Sequence, residues 1–177
     1  LFCDFCHCLF SSFLFRDPIG PLIASIIRPN ATGFQFPFSH RCKLLKKDDK
    51  TNVMRILDQK KVSYIPHGYE IEEGAPCDAV TVAGLIGKDV SEVYKTLVLK
   101  AGKGNFYVFV VPCAARLDYK KAAKAVGEKS VAMVLSADLL GLTGYIHGGC
   151  SPIGMKKPFP TFFHSSALDF DVIYVSA

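Results

Sequence analysis

Four groups of residues have types and spacing that could do chemistry. The first is Cys3, Cys6, His7 and Cys8. Three thiols and an imidazole can hold zinc when they close a four-ligand shell. No second ligand pair follows at a finger-like distance, and Phe2, Phe5 and Phe10 crowd the stretch, so no metal is expected. The second group is Tyr94-Lys95-Thr96, where a lysine enters the apolar run Leu97-Val98-Leu99. Partial burial would lower the ammonium pKa. A lysine that stays charged can instead hold a carbonyl or phosphate oxygen. The plain alternative is a lysine snorkelling from a sheet edge.

The third group is the run from Gly144 through Tyr145, His147, Gly148, Gly149, Cys150, Ser151 and Pro152 to Gly154. Glycines let a backbone approach a ligand closely, and N–H groups exposed in such a bend can grip an oxyanion. No Gly-Lys-Ser/Thr follows, so this is not a Walker A loop, and no dinucleotide fingerprint is present either. The plain alternative is a tight structural connection. The fourth group, Lys156 and Lys157, could meet a phosphate backbone or simply sit on a solvated turn. His67, His147 and His164 with Cys77, Cys113 and Cys150 show no spacing that demands a triad. A Cys–His nucleophile pair stays open, because such partners need not be near in sequence.

These groups must be held by ordered elements. Thr51 can cap a helix running to Lys60, with Val53, Met54, Ile56 and Leu57 as its apolar face. Residues 62–69 lean towards strand. Asp78 can cap a second helix, with Val80, Ala83 and Ile86 inward and Gly87 as its stop. Runs 93–100 and 105–111, separated by Ala-Gly-Lys-Gly, predict a hairpin that carries Lys95 at its start. Asp118 caps a third helix with Ala122, Ala123 and Val126 inward and Gly127 as its stop. Residues 131–135 and 173–175 read as strands, and 136–140 as one helical turn. Helices and hairpins without strict βαβ alternation predict an α+β domain on a mixed or antiparallel sheet.

Composition agrees with a folded chain of 177 residues that is 50% hydrophobic, enough apolar material for a core. Seven cysteines cannot all pair. The net charge of +5 is mild. Residues 1–50 carry seven basic and four acidic groups, and residues 51–177 carry 14 and 12, so any basic surface in the body must be a local cluster. The apolar runs near the N-terminus are broken by Arg16, Asp17 and Pro18 and again by Arg28 and Pro29. None reaches the about 20 residues of a membrane span, and no membrane association is expected.

The ordered segments go further. Val93-Tyr94-Lys95-Thr96-Leu97-Val98-Leu99, the helix from Leu117 to Lys129, Leu142-Thr143-Gly144-Tyr145, the run from Gly148 to Lys157, Pro160-Thr161-Phe162 and the end from Ile173 to Ala177 together resemble the YbaK branch of the prolyl-tRNA synthetase editing-domain superfamily, the Cys-tRNA(Pro) deacylases. The resemblance implies an α+β fold with a central, barrel-like mixed sheet surrounded by helices. It implies a deacylase domain over 49–177, truncated at its C-terminus, with 1–48 as an extra segment of unsettled order. The implied activity is removal of cysteine from mischarged Cys-tRNA(Pro), or from Cys-tRNA(Cys), with the substrate's own thiol cleaving the ester. Lys95 is the implied catalytic residue. Tyr69, Thr96, Gly148, Gly149, Cys150, Ser151, Pro152 and Ser176 are the implied substrate-binding residues. No cofactor or metal is implied; the partners are aminoacyl-tRNA and prolyl-tRNA synthetase, in the cytoplasm. Two alternatives stay open: a deacylase of another mischarged tRNA such as Ala-tRNA(Pro), and a non-catalytic tRNA- or synthetase-binding module. The chain departs from the family at His164, where relatives carry an acid, and at Cys150, where they carry a small aliphatic residue. It also stops at Ala177, short of a last family strand, which implies an open sheet edge.

Overall fold

A computed structural model describes residues 22–27, as backbone, together with 50–69, 78–102 and 104–177. The Cys3, Cys6, His7 and Cys8 group, and Cys77, lie outside the described residues.

The helices begin where the sequence offers a cap. Thr51 accepts a hydrogen bond from the Met54 N–H at 3.2 Å and starts α1, Asn52–Gln59, which buries Val53, Met54 and Leu57. The Asp78 carboxylate accepts from the N–H groups of Val80 and Thr81 and starts α2, Ala79–Leu85. Its inward face differs from the expected one, since Val80 is 45% exposed while Val82 and Ala83 are buried. Ala79, Val82, Ala83 and Ile86 all pack on one cluster. They form an i, i+3, i+4, i+7 stripe, and Val80 falls outside it.

Strand β2, Tyr64–Gly68, lies between α1 and α2 in the chain. Strands β3, Tyr94–Ala101, and β4, Phe106–Pro112, form the expected hairpin in a register that sets Lys95 opposite Val111. Asp118 caps α3, Tyr119–Ala125, which buries Ala122 and Ala123. Strand β5 is shorter than expected, Val131–Met133, and α4 is longer, Ser136–Thr143, ending at Gly144 with φ 86.

Two short elements were not anticipated. Strand β6, Thr161–Phe163, pairs parallel to β4, which makes the four-stranded sheet β5-β3-β4-β6 mixed. Strand β1, Leu22–Ile27, lies between β2 and the last strand β7, Val172–Ser176, antiparallel to both. The edge of β7 that was expected to stand open is therefore occupied from Ile23↔Ser176 to Ile27↔Val172.

The sheets join at a parallel bridge between Val93 and Tyr174. There the Tyr174 N–H donates to the Glu92 carbonyl at 2.9 Å and the Cys113 N–H to the Val93 carbonyl at 2.8 Å. Helix α2 covers this seam: Val82, Ala83, Val93, Cys113 and Tyr174 form one buried cluster. Helix α3 covers one face of the hairpin through Leu99, Phe109 and Val111, while α4 and the bend after it meet Val98 and Val108 on the other. No helix among the described residues is long and apolar enough to cross a membrane.

A proline in β1 tests its central place. Both edges of β1 are paired, so Ala24→Pro removes a ladder bond whichever neighbour its N–H serves. The expected loss is about 2 kcal/mol or more, a fall in Tm of about 5 °C for a chain of this length. A thermal melt unchanged by Ala24→Pro would show that β1 contributes nothing to the sheet.

Candidate active site

Lys95 is the second residue of β3, half-buried, and its Nζ donates to the Cys113 carbonyl at 2.8 Å. The hairpin register explains the pairing: Val111 faces Lys95, and Cys113 lies two residues further, just past the end of β4. Of the options open from sequence, the lysine takes the carbonyl rather than a free sheet edge. An ammonium has three N–H donors. Among the described residues, only the Cys113 carbonyl engages it. Burial pushes the Cys113 thiol up, and the Lys95 charge opposes that shift without cancelling it. The thiol itself donates to the Val90 carbonyl at 3.3 Å.

Tyr69 packs on the cluster that contains Cys113 and Tyr174, so it lies on the same seam as the lysine's anchor. His67 meets the Tyr174 ring edge-on at 5.3 Å, and Lys88 lies over the other partner of that contact, 5.2 Å from the Tyr174 centroid. Burial lowers the His67 pKa, and the Lys88 charge lowers it further.

Thr96 points to the opposite face of β3, because successive strand residues alternate. Its hydroxyl is buried and has no hydrogen-bond partner. Val98, on the Thr96 face, packs in one cluster with Cys150. The structure thus sorts the predicted residues into two groups, Lys95 with Tyr69 around Cys113, and Thr96 with the bend at 148–152. No hydrogen bond among the described residues joins Lys95 to the bend. Ser176 pairs with Ile23 at the end of β7 and is joined to neither group by a hydrogen bond.

The bend is tied at several points. The Thr143 hydroxyl donates to the Leu139 carbonyl at 2.8 Å and accepts from the Tyr145 N–H at 3.0 Å. The Tyr145 hydroxyl donates to the Ile153 carbonyl at 2.6 Å. Asn52, at the start of α1, donates to the Gly154 carbonyl at 3.3 Å. The Ser151 hydroxyl, fully buried, accepts from the Ile153 N–H. Lys156, half-exposed, donates through its side chain to the Leu140 carbonyl at 3.0 Å and so helps close α4. The Gly149 N–H is spent on the Ile146 carbonyl. Among the described residues, nothing accepts from the N–H groups of Gly148, Cys150 or Ser151. Burial pushes the Cys150 thiol up to about 12, opposed by a hydrogen bond with Thr143, and the Tyr145 hydroxyl also to about 12.

His147 and His164 are exposed, and no hydrogen bond among the described residues joins either to a cysteine; His164 bonds Ser166, which reaches the buried Tyr94 hydroxyl at 2.7 Å. No group of three His, Cys, Asp or Glu side chains that could hold a metal occurs among the described residues. Cys113, Thr143 and Asn52 are structural parts of the site that sequence reading missed. The hairpin register alone would have pointed to Cys113, since it sets that residue diagonal to Lys95.

Four likenesses to known proteins bear on this fold. Residues 77–177 match the family model described as the aminoacyl-tRNA editing domain. EbsC of Enterococcus faecalis, assigned by name as a Cys-tRNA(Pro)/Cys-tRNA(Cys) deacylase, is 44% identical over 132 residues, which are 75% of this chain and 80% of EbsC. A solved hypothetical protein, APE2540, superposes with a TM-score of 0.60 at 22% identity, over 70% of this chain and 79% of that one, a likeness of fold. A solved scaffold protein from epitope-grafting work is 31% identical with a TM-score of 0.50, over 56% of this chain and 63% of its own. The chain belongs to the aminoacyl-tRNA editing domain family, and its antiparallel sheet, its mixed sheet and the four α-helices among the described residues form the α+β fold that the resemblance implied.

The bend yields two tests. A Cβ on Gly154, at φ 74, would lie 2.7 Å from Asn52 Nδ2 and 2.8 Å from Ile56 Cδ1, whereas one on Gly149 meets only Ile146 at 3.7 Å. Gly154→Ala should cost about 2 kcal/mol or more in urea unfolding, and Gly149→Ala less than about 0.5 kcal/mol. Equal costs would refute the close approach. The second test concerns Cys150. Its folded pKa lies above the ordinary value of 9.0, so the native state holds the proton more tightly and this part of the stability falls as pH rises from 9.0 to about 12. At pH 8 Cys150 should resist iodoacetamide in the native chain and react in urea; fast native labelling would contradict its burial.

Proposed function

We propose that this chain is a trans-editing deacylase that removes cysteine from mischarged Cys-tRNA(Pro), with Cys-tRNA(Cys) as a second substrate. The observation that carries the reading is the Lys95 ammonium, half-buried and held 2.8 Å from one carbonyl. Two of its donors remain uncommitted among the described residues. Such a cation can hold the oxygen of an ester carbonyl and stabilise the negative charge that develops on it. On the opposite face of β3 the buried Thr96 hydroxyl has no hydrogen-bond partner among the described residues. The name carried by EbsC points to the same substrates.

The chemistry follows from what the chain's own nucleophiles lack. Burial keeps the thiols of Cys113 and Cys150 protonated at neutral pH. A cysteinyl ester brings its own thiol, and a reactant held next to its target gains an effective molarity of about 10⁵ M or more. The substrate sulfur attacks the ester carbonyl, a C–S bond forms, the C–O bond to the ribose breaks, and the thiol proton ends on the departing oxygen. The products are tRNA with a free terminal hydroxyl and cysteine as a cyclic thioester, which water then opens. Lys95 holds the carbonyl oxygen and favours the substrate thiolate. Tyr69 shapes the Lys95 side of the pocket for a small side chain; Thr96 and the bend at 148–152 lie on the opposite face of β3. Prolyl-tRNA synthetase, the source of the mischarged tRNA, is the protein partner.

Deacylation of Cys-tRNA(Pro) and Ala-tRNA(Pro) by the native chain and by Lys95→Ala tests this. Cysteine release should exceed alanine release, and Lys95→Ala should lower it by about 100-fold or more while leaving the thermal melt in place. Equal release of both amino acids would remove the thiol-assisted step. Full activity in Lys95→Ala would remove the lysine's role. Salt-sensitive tRNA binding with no deacylation would make the chain a binding module.

A further inference from the structure

We propose that the exposed face of α3 and the turn after it, with Lys120, Lys124 and Lys129 around Tyr119, is the surface that docks the phosphate backbone of tRNA. The inference rests on the reading of tRNA as the partner.

Charge distribution is the first argument. Residues 116–129 hold five basic and two acidic groups, a net of +3, whereas the rest of residues 51–177 holds nine and ten, a net of −1. The body's whole positive excess lies in this one segment. Its two acids are already engaged. Asp118 accepts from the N–H groups of Lys120 and Lys121, and Glu128 accepts from Asn105 and the Tyr107 hydroxyl, each at 2.9 Å. Three cations elsewhere are occupied: Lys50 pairs with Asp58, Lys95 holds the Cys113 carbonyl, and Lys156 bonds the Leu140 carbonyl at the end of α4. Among the described residues no ion pair or hydrogen bond engages the side chains of Lys120, Lys121, Lys124 or Lys129.

Placement is the second argument. Lys120 and Lys121 stand in the first turn of α3, where the helix dipole disfavours cations, and the Asp118 carboxylate at the cap is the one acid beside them among the described residues. Tyr119 is 46% exposed beside them, a ring on which an unpaired base can stack. Tyr119, Lys120, Lys124, Glu128 and Lys129 line one open hollow of about 400 Å³.

Continuity with the site is the third. Ala122 and Ala123 of α3 pack on Leu99 and Leu97, which share the Lys95 face of β3. The loop that opens at Cys113, the residue holding Lys95, leads through exposed Arg116 into α3. One short segment thus connects the lysine anchor to the cationic face.

The test uses the full chain and uncharged tRNA(Pro), with binding followed between about 50 and 200 mM salt. Lys120→Gln/Lys124→Gln/Lys129→Gln should weaken binding about tenfold or more and reduce the slope of log affinity against log salt by about two to three. Arg55→Gln/Lys60→Gln/Lys61→Gln removes the same charge around α1 and should keep the slope. The arginine triple at 120, 124 and 129 should bind as the native chain does. Equal weakening by both glutamine triples would reduce the effect to net charge and overturn the proposal. So would native affinity in the α3 triple, or loss of polyglutamate binding there with tRNA binding intact, which would assign the face to an acidic protein. Uncharged tRNA requires no chemistry. A chain that binds through α3 and releases no cysteine loses the deacylase reading and keeps this surface; one that deacylates while the α3 triple binds normally loses the surface alone.

Discussion

An ammonium group half-removed from water at the head of a buried strand must be compensated, and here one backbone carbonyl, that of Cys113, does so. Much of the fold converges on that contact. Cys113 is held by its own N–H to Val93, Val93 bridges Tyr174, and Tyr174 returns to Glu92. The two sheets meet at this seam, and α2 closes over it with Val82 and Ala83. The Cys113 thiol matters by staying neutral. Its burial outweighs the pull of the Lys95 charge, so the cation faces a dipole and not a thiolate that would cancel it. A cation compensated by a single dipole retains field for an incoming oxygen, and a preorganised field needs no reorganisation when charge develops.

The glycine-rich bend obeys the complementary rule. Polar side chains in and beside it hold its backbone. Thr143, Tyr145, Ser151 and Asn52 each bond a main-chain group of the bend or its flanks. Satisfied buried networks are stiff. Gly154 marks how close the approach is, since no side chain fits between it and α1. Among the described residues the amides at 148, 150 and 151 have no acceptor, so an oxygen bound there would meet donors already in place.

Much of this was legible in the sequence, and what was not has physical reasons. Caps at Thr51, Asp78 and Asp118 and the hairpin around Lys95 depend on local chemistry, and they appear where local chemistry puts them. The face of α2 was misread because Val80 is apolar, yet a two-turn helix buries only one stripe, and Ala79 and Ala83 define it. Strand β6 has three residues, too few for any periodicity, and exists because β4 offers an edge. The run Leu22 to Ile27 reads as an apolar stretch interrupted on both sides; only its distant partners β2 and β7 make it a strand. Of the site, Lys95 and the bend were visible as motifs. Which sheet face each occupies depends on the pleat, and Cys113's role on a register of backbone atoms that carries no side-chain signature.

The pleat also explains why a strand can serve chemistry and substrate docking together. Lys95 and Thr96 are adjacent in sequence and turned to opposite faces, so the hairpin presents a cation on the side covered by α3 and a hydroxyl on the side covered by the bend. Helix α3 needs only alanines to pack on the first side, which leaves its long residues free for solvent. Small residues inward and lysines outward is an arrangement that lets the helix sit close to the sheet while carrying charge that the core could not tolerate. The bend, by contrast, buries Cys150, Ser151 and Pro152 and exposes Gly148. The strand that carries Lys95 is the wall between these two kinds of surface.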